Sequence, residues 1–469
     1  MHPGRLPRAA LAALFSLLIT LATSTAVTAG SATNVHETTL DNGLKVLVLP
    51  DKRAPVVTHQ IWYKVGSTDE PGGITGIAHM FEHMMFKGTE SLGPGEFSKI
   101  ISRLGGEENA FTGRDYTAYF QTLAADELET VMRWEADRMA NLALDPEEFA
   151  REKEVVKEEW RMRVRDNPSA RLGQLLYATA FTSSGYHHPI IGWKTDIDAY
   201  TIGDLEHWYR SHYAPNNATL IIVGDVEQEH AIKLARRHYG KVPSRDLPAA
   251  KPREEMTQHG IKRASLVIPA KLPQLAMGYK VPSLVTADDQ KVAYALAVAA
   301  GILSGDSGAR LNNDLVRAGK LSAASAGYSL TARETTLFTL NARPRQGQSL
   351  TEVETLLRTQ IERLKAEPVG KEELERIKAQ VAAADVYQRD SLFYQGMALG
   401  VYETVGLDYR LADRFVEGIR AVTPADIQAV AQTYFHDRGL TIATLEPEPQ
   451  EDPQPTASGA DQSIAGENP

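Results

Sequence analysis

The chain has 469 residues, of which 43% are hydrophobic and 23% are charged, and it contains no cysteine. Such a length predicts two or three globular domains. A formal net charge of −10 argues against a general nucleic-acid-binding protein. The lack of cysteine excludes disulfide scaffolds, thiolate zinc sites, cysteine nucleophiles and lipid anchors attached through cysteine.

The two ends of the chain differ in composition from the middle. Residues 1–29 predict a cleaved export signal, with arginines at the start, an apolar run over Ala9–Ala22 and small residues before the cleavage point. A membrane anchor is the alternative, but this run is shorter than the roughly 20 residues that a membrane span needs. We therefore expect a protein of the bacterial periplasm or the cell exterior. Residues 448–469 contain acidic but no basic or aromatic residues and predict a disordered acidic tail.

Between these ends, short strands alternate with longer helices. Strands are predicted at Lys45–Leu49, Val56–Val65, Ala218–Val223 and Leu440–Leu445. Helices are predicted at Ala78–Phe86, Pro94–Leu104, Asp126–Ala140, Asp145–Arg165, Val353–Leu364 and Leu374–Tyr387. This alternation is typical of an α/β or α+β fold.

Two short sequence echoes indicate that the pattern occurs twice. Residues 62–67 (WYKVGS) resemble residues 278–283 (GYKVPS), and a second echo precedes the last strand of each half at a similar offset. We therefore predict an α+β fold of two homologous α/β-sandwich domains of about 200 residues each. The N-terminal domain is assigned to residues 30–245, a proline-rich charged linker to 246–262, and the homologous C-terminal domain to 263–447.

The most specific motif is His79-Met80-Phe81-Glu82-His83. Positions i and i+4 share one face of a helix, so the imidazoles of His79 and His83 can bind one ion. Neutral imidazoles suit zinc, and Glu82 lies close enough to take a proton from water there as a general base. The alternative is a hydrogen-bonded histidine pair on a surface helix, although 13 histidines in this chain make the pattern rare by chance.

A catalytic zinc site needs a third protein ligand, and the helix predicted at Asp145–Arg165 offers candidates. Two acids and two valines form one stripe of that helix: Glu152, Val155, Val156 and Glu159. We expect this stripe to face inward and Glu158, beside it, to face solvent. Glu159 is chosen as the ligand and Glu152 as a supporting acid that orients the site. A solvated charged helix is the alternative, which the glutamate and lysine content alone would favour.

Together these residues resemble a known family. Residues 76–89 (GIAHMFEHMMFKGT) closely resemble the pitrilysin family of zinc peptidases, the inverzincins, which include insulin-degrading enzyme and the mitochondrial processing peptidase. The distal glutamate of that family matches Glu159, its supporting acid matches Glu152, and the resemblance extends over most of residues 35–447. It implies that one Zn²⁺ is bound by His79, His83 and Glu159 and that Glu82 activates water.

The resemblance also implies where a substrate would bind. Four consecutive residues resemble the family's edge strand, which pairs with the backbone of an extended peptide: Asn109, Ala110, Phe111 and Thr112. A simple turn and strand is the alternative. Arg317 resembles the arginine of an arginine–tyrosine pair that holds the substrate and stabilises the oxyanion. The tyrosine position falls on Ala323 or Ala324, and one missing donor of this kind can remove about 3–4 kcal/mol of stabilisation.

The missing tyrosine leaves three interpretations open. In the first, the chain is the zinc-bearing subunit of a heterodimer, and a related zinc-less partner supplies the arginine–tyrosine pair. In the second, it is an independent peptidase. In the third, it is a non-proteolytic subunit for peptide binding or assembly. The heterodimer is favoured, because the chain has half the length of the long single-chain members. The predicted activity is that of a zinc metalloendopeptidase acting on oligopeptides or small unfolded proteins, without a nucleic-acid partner and, after signal cleavage, without a membrane partner.

Residues 186–189 (YHHP) are a further histidine motif. Adjacent histidines point to different sides of the chain, and the proline marks a loop. We therefore expect a structural role or a place at the rim of the substrate site instead of a second metal site.

Overall fold

The structure is a computed structural model that describes residues 34–248, 251 and 253–449. The predicted export signal lies outside the described residues, and so does the predicted tail apart from its first two residues. Among the described residues, no helix has both the length and the apolar composition that a membrane crossing requires.

The first half of the described chain forms one sheet with surrounding helices. Its strands are β1 (His36–Thr39), β2 (Lys45–Pro50), β3 (Val56–Tyr63), β4 (Glu107–Thr112), β5 (Thr117–Ala124) and β6 (Ala218–Gly224). Its helices are α1 (Ile77–Met84), α2 (Glu96–Arg103), α3 (Leu128–Asn141), α4 (Pro146–Trp160), α5 (Pro168–Ala180), α6 (Lys194–Ala199), α7 (Ile202–His212) and α8 (Gln228–His238).

The second half repeats this composition of elements. Its strands are β7 (Lys262–Ile268), β8 (Gln274–Val281), β9 (Ala323–Gly327), β10 (Thr336–Arg343) and β11 (Leu440–Pro447). Its helices are α9 (Gln290–Ser304), α10 (Leu350–Ala366), α11 (Lys371–Arg389), α12 (Leu392–Thr404), α13 (Leu411–Ala421) and α14 (Pro424–Tyr434).

The two sheets share one topology. Their strand orders are β1-β2-β6-β3-β5-β4 and β7-β11-β8-β10-β9. In the first sheet β2 pairs in parallel with β6, the last strand of that half, and in the second sheet β7 pairs in parallel with β11, again the last strand. All other pairs of neighbouring strands are antiparallel. Without β1, the sheets correspond strand for strand. This confirms the predicted α+β fold of two related halves.

Alternating side chains along the strands give each sheet two apolar faces. Along β6, Leu220 and Ile222 belong to the main core of the first half, whereas Ile221 and Val223 face the opposite side. That opposite side is covered by α12 of the second half, through residues such as Leu399. In return, α5 of the first half packs on β7, β8 and β11 of the second sheet. Each half therefore contributes one helix that packs on the sheet of the other half. The predicted boundaries of the two domains stay a prediction.

Two glycines allow α12 to lie close to the first sheet. A Cβ atom on Gly400 would lie 2.1 Å from the indole of Trp62, and one on Gly396 would lie 2.5 Å from the side chain of Gln60. Because these glycines are four residues apart, they share one face of the helix. The close approach joins the second half to strand β3, which is central in the first sheet.

Candidate active site

The short helix α1 places three candidate functional side chains on one side. On its other side, the apolar residues Met80, Phe81 and Met84 are fully buried in the core of the first half. That packing fixes the rotation of the helix about its axis. His79, Glu82 and His83 therefore point together toward a cleft that their side chains line.

The start of α1 is held by a buried carboxylate. Gly76, the residue before the helix, adopts a left-handed conformation (φ 88°) and has no side chain to cap the helix. The carboxylate of Glu70 accepts hydrogen bonds from the backbone N–H groups of Gly76 (2.7 Å) and Ala78 (2.8 Å). Glu70 thus satisfies donors that a helix N-terminus leaves free, a role that the sequence pattern did not indicate.

Helix α4 brings Glu159 to the two histidines. The Nε2 atom of His79 lies 3.7 Å from Glu159 Oε1, and the Nε2 atom of His83 lies 3.3 Å from Glu159 Oε2. One potential ligand atom from each residue lies within 4.8 Å of the others. Two imidazole nitrogens and one carboxylate oxygen are a donor set of catalytic zinc sites. The residues present therefore fit the ion that the resemblance implies.

Glu152 orients one of these rings. Its Oε1 atom lies 2.8 Å from Nδ1 of His83, and its other oxygen forms an ion pair with Lys87. A hydrogen bond at Nδ1 fixes the ring so that Nε2 faces the cluster, which is how metal-binding histidines are commonly held. The supporting position predicted for Glu152 agrees with this geometry. The Nδ1 atom of His79 is buried and has no hydrogen-bond partner among the described residues.

The environment shifts the pKa values of the cluster in different directions. Burial raises the pKa of Glu82, and the hydrogen bond from the Thr112 hydroxyl opposes that shift. Burial, followed by repulsion from His83, lowers the pKa of His79 to about 4. Burial would also lower the pKa of His83, but its hydrogen bonds with Glu152 and Glu159 outweigh it and raise that pKa to about 9. The two carboxylates therefore favour the charged form of His83, whereas burial disfavours that of His79.

The predicted stripe of α4 is correct for three of its four residues. Val156 is fully buried, and Glu152 and Glu159 are largely buried beside α1. The expectation that Val155 faces inward is wrong, because Val155 is 49% exposed and lines the cleft. The stripe of α4 is wider than the surface that packs against α1. Val155, at the edge of the stripe, therefore lies at the cleft and not in the core. Glu158 is exposed, as predicted, and forms an ion pair with Arg161.

The predicted edge strand is an edge strand. β4 pairs with β5 and stands at the end of the described sheet, so its other side is not paired with a described strand. Four of its residues line the same cleft as the His79, Glu82, His83 and Glu159 side chains: Asn109, Ala110, Phe111 and Thr112. The cleft has a volume of about 1220 Å³. An exposed strand edge and a candidate metal centre therefore share one space.

Further residues that line the cleft were identified by sequence patterns only in part. His187, His188 and Pro189 line the cleft, which places the predicted rim motif at the site. The guanidinium of Arg114 lies 4.1 Å from the ring of Tyr177 and donates a hydrogen bond to the carbonyl oxygen of His188 (3.3 Å). A single arginine after a strand carries no motif, so nothing in the sequence singled out Arg114.

The structure does not bring Arg317 to this cleft. Among the described residues, those lining the cleft all belong to the first half. Arg317 ends a π-helical turn of the second half, and its guanidinium bonds to Asn313 (3.3 Å). The two alternative positions predicted for the family's tyrosine, Ala323 and Ala324, lie in β9, at the end of the second sheet. Arg317 is therefore not among the residues that line this cleft, and its predicted role in substrate binding stays a prediction.

Two family models match the chain. The one described as Insulinase (Peptidase family M16) covers residues 45–193, and the one described as Peptidase M16 inactive domain covers residues 199–381. The cluster of His79, His83 and Glu159 lies entirely within the first of these ranges.

Relatives extend over nearly the whole chain. The zinc protease PqqE of Helicobacter pylori is 30% identical over 443 residues, which cover 92% of this chain and 97% of that protein. An uncharacterized zinc protease of Streptomyces coelicolor is 26% identical over 403 residues, covering 85% of this chain and 86% of the relative. A crystal structure of a protease from Helicobacter pylori superimposes with a TM-score of 0.84 at 29% identity, covering 88% of this chain and 99% of that one.

Proposed function

The chain belongs to peptidase family M16, and from that membership we propose that it is a zinc metalloendopeptidase. The observation that carries the proposal is the convergence of His79, His83, Glu159 and Glu82 on one cleft. Relatives named zinc proteases support a peptidase-like role.

The proposed chemistry is hydrolysis of a peptide bond. His79, His83 and Glu159 would hold one zinc ion. When bound, zinc polarises the scissile carbonyl and makes water a better acid. Glu82 takes a proton from the attacking water at Oε1, because Thr112 already donates to Oε2. As the C–N bond breaks, Glu82 gives that proton to the leaving amine nitrogen.

The proposed substrates are oligopeptides or small unfolded proteins. The free side of β4 can accept an extended peptide as an additional strand, held by backbone hydrogen bonds. Such pairing needs a segment without its own secondary structure, because a folded protein has already paired its backbone groups. The wide cleft beside β4 has room for side chains on either side of the scissile bond.

We further propose a two-chain enzyme that works in the periplasm or outside the cell. The placement of Arg317 outside the cleft and the alanines at positions 323 and 324 support a partner that supplies the missing arginine–tyrosine pair. The partner would be a related chain without zinc ligands. The apolar N-terminal segment supports export. The same alanines favour the second candidate function, a non-proteolytic peptide-binding or assembly subunit that retains zinc.

The test is cleavage of a quenched fluorescent peptide pool by the purified, zinc-loaded chain from residue 30 onward. Glu82→Gln removes the proposed base, and Glu154→Gln is the matched control, because Glu154 lies exposed on α4. The peptidase proposal predicts cleavage by the wild type and Glu154→Gln, either alone or with a partner chain, and loss of that cleavage with Glu82→Gln or with a chelator.

If no protein cleaves, a related zinc-less chain from the same genome is added. Restored cleavage supports the heterodimer. Stoichiometric zinc without turnover, even with that partner present, contradicts the peptidase proposal and supports the binding subunit.

A further inference from the structure

Arg333 of the second half contacts two acidic residues of the first half. Its Nη2 atom donates a hydrogen bond to Asp69 Oδ1 (2.8 Å), and its backbone N–H donates to Asp115 Oδ2 (3.1 Å). Its Nε atom lies 3.7 Å from Asp115 Oδ1. The Arg333 side chain is 26% exposed and that of Asp115 only 7%. Solvent and salt therefore screen these contacts less than they screen a surface ion pair.

Both acids belong to segments that lead directly to the candidate active site. Asp69 precedes Glu70, whose carboxylate accepts hydrogen bonds from the first turn of α1. Asp115 lies in the turn between β4 and β5, next to Arg114, which lines the cleft. A displacement of either acid would therefore shift the helix that carries the candidate ligands or the strand that would bind the peptide.

A third segment is tied to the same point. The Tyr186 hydroxyl donates to Asp115 Oδ2 (2.6 Å) and accepts a hydrogen bond from the backbone N–H of Glu334 (3.3 Å). The hydroxyl of Ser184 donates to the carboxylate of Glu334. The two residues that follow Tyr186 line the cleft. Arg333 and Glu334 are thus connected by hydrogen bonds to residues 184–192, the segment called the cleft wall below.

The cleft wall in turn fits closely against the start of α1. A Cβ atom on Gly76 would lie 2.3 Å from the carbonyl oxygen of Ile191, and one on Gly192 would lie 2.2 Å from that of Thr75. These backbones leave no room for relative movement without a change in both. Because packed protein interiors transmit displacements over short distances, the three segments behave as one support for the site.

We propose that Arg333 is a positioning residue for the peptidase, through which the second half holds the cap of α1, the β4–β5 turn and the cleft wall in one arrangement. This inference rests on the proposed function. Without the guanidinium, the carboxylates of Asp69 and Asp115 would face each other with no counter-charge from the second half. Burial raises the pKa of Asp115, and the charge of Arg333 opposes that rise. Arg333 therefore favours the charged, hydrogen-bonded form of the turn.

The experiment compares Arg333→Met and Arg333→Lys with a matched control, Arg410→Met. Arg410 also crosses from the second half to an acid of the first, Glu37, but at β1, on the opposite edge of the same sheet. Hydrogen exchange is measured by mass spectrometry on the full chain. Exchange of residues 66–84, 107–116 and 184–192 is expected to be at least about 10-fold faster in Arg333→Met, intermediate in Arg333→Lys and unchanged in Arg410→Met.

Binding and turnover report on the site itself, and the comparison with Arg410→Met separates an effect on the site from general destabilisation. Fluorescein-labelled, reduced and carboxymethylated α-lactalbumin is the unfolded probe, and the variants are made in the Glu82→Gln background to prevent cleavage. Arg333→Met is expected to weaken binding by about 10- to 100-fold, with a similar loss of kcat/KM in the active chain.

Unchanged exchange in the three segments overturns the inference, whether or not the chain cleaves peptides. Equal losses of binding in Arg333→Met and Arg410→Met also overturn it, because they would indicate general destabilisation. If Arg333→Met does not fold, Arg333→Lys and Asp69→Asn make the same comparison with Arg410→Met. An inactive wild type would contradict the proposed function alone, since the exchange result does not depend on catalysis.

Discussion

The hydroxyl group of Thr112, in the edge strand β4, donates a hydrogen bond to Oε2 of Glu82 in α1. This bond joins the strand that would hold a peptide directly to the proposed general base. It leaves the other carboxylate oxygen of Glu82 free for a proton and fixes the direction in which that oxygen points. The position of the base is therefore set by the strand as well as by its own helix.

Replacing Thr112 with valine keeps the shape of the side chain and removes the donor. We expect kcat to fall about 3- to 10-fold with a smaller change in KM, because one hydrogen bond is lost and Glu82 gains rotational freedom. Thr122→Val is the control, since Thr122 lies on the neighbouring strand, bonds to Thr58 and is not among the residues lining the cleft. Steady-state kinetics that show the same kcat for Thr112→Val and the wild type would contradict this role.

Replacing Glu152 with glutamine removes the charge that orients His83. We expect zinc affinity to fall about 10- to 100-fold, as for other residues that support a metal-binding histidine. Competition with a chromogenic chelator measures the affinity. Glu154→Gln is the control, because that residue is exposed on the same helix and pairs with Lys157. Equal affinities in the two variants would show that Glu152 does not support the site.

Replacing Gly400 with alanine tests the close approach of α12 to the first sheet. The added methyl group would clash with Trp62, so the free energy of unfolding should fall by about 1–3 kcal/mol. Gly203→Ala in α7 is the control, since its Cβ would lie 3.6 Å from Thr201, an ordinary contact, and alanine favours a helix over glycine. Urea denaturation should show a lower midpoint for the first variant and an equal or higher midpoint for the second.

Glu255 makes part of the stability depend on pH. Burial would raise its pKa, but hydrogen bonds from Lys280 and from the backbone of Ser184, Ser183 and Thr182 outweigh burial and lower the pKa to about 2. Because this folded-state pKa lies below the ordinary value of 4.5, the charged form stabilises the fold above about pH 4.5 and that stabilisation is lost as the pH falls toward 2.

We therefore expect Glu255→Gln to lower the free energy of unfolding at pH 7 by about 1–3 kcal/mol. The difference from the wild type should shrink as the pH is lowered through this range. Urea denaturation of both proteins at pH 7, 5, 4 and 3 measures it. A difference that stays constant from pH 7 to pH 3 would show that the carboxylate charge is not the cause.

Much of the candidate site could be predicted from local sequence because its geometry is local. Two histidines four residues apart share one face of any helix, so α1 needed no tertiary information. Glu159 and Glu152 could be chosen because they share a stripe with the buried Val156. The same reasoning failed for Val155, since periodicity tells which side of a helix is apolar but not how wide the contact with its neighbour is.

Other contacts have no periodic signal in the sequence. Glu70 caps α1 through a turn of the chain only six to eight residues long. Arg333 reaches Asp115 from more than 200 residues away along the sequence. For Arg317 the sequence did give a signal, a match to a family position, but the structure does not place this residue among those lining the cleft. The contact of Arg333 with Asp115 follows from how the two halves pack.

The sequence by itself determined the two related halves and the helix faces that carry His79, His83 and Glu159, because hydrophobic period, turn residues and helical spacing act over a few residues. The edge strand was predicted from the resemblance to the family. Only the tertiary structure decided that α5 and α12 are exchanged between the halves and that Arg333 supports the cleft from the other half. The physical reason is that an apolar helix face can pack on any apolar surface, and a charged side chain can pair with any opposite charge. The chain offers several such partners. Which one it contacts depends on the packing of the whole chain.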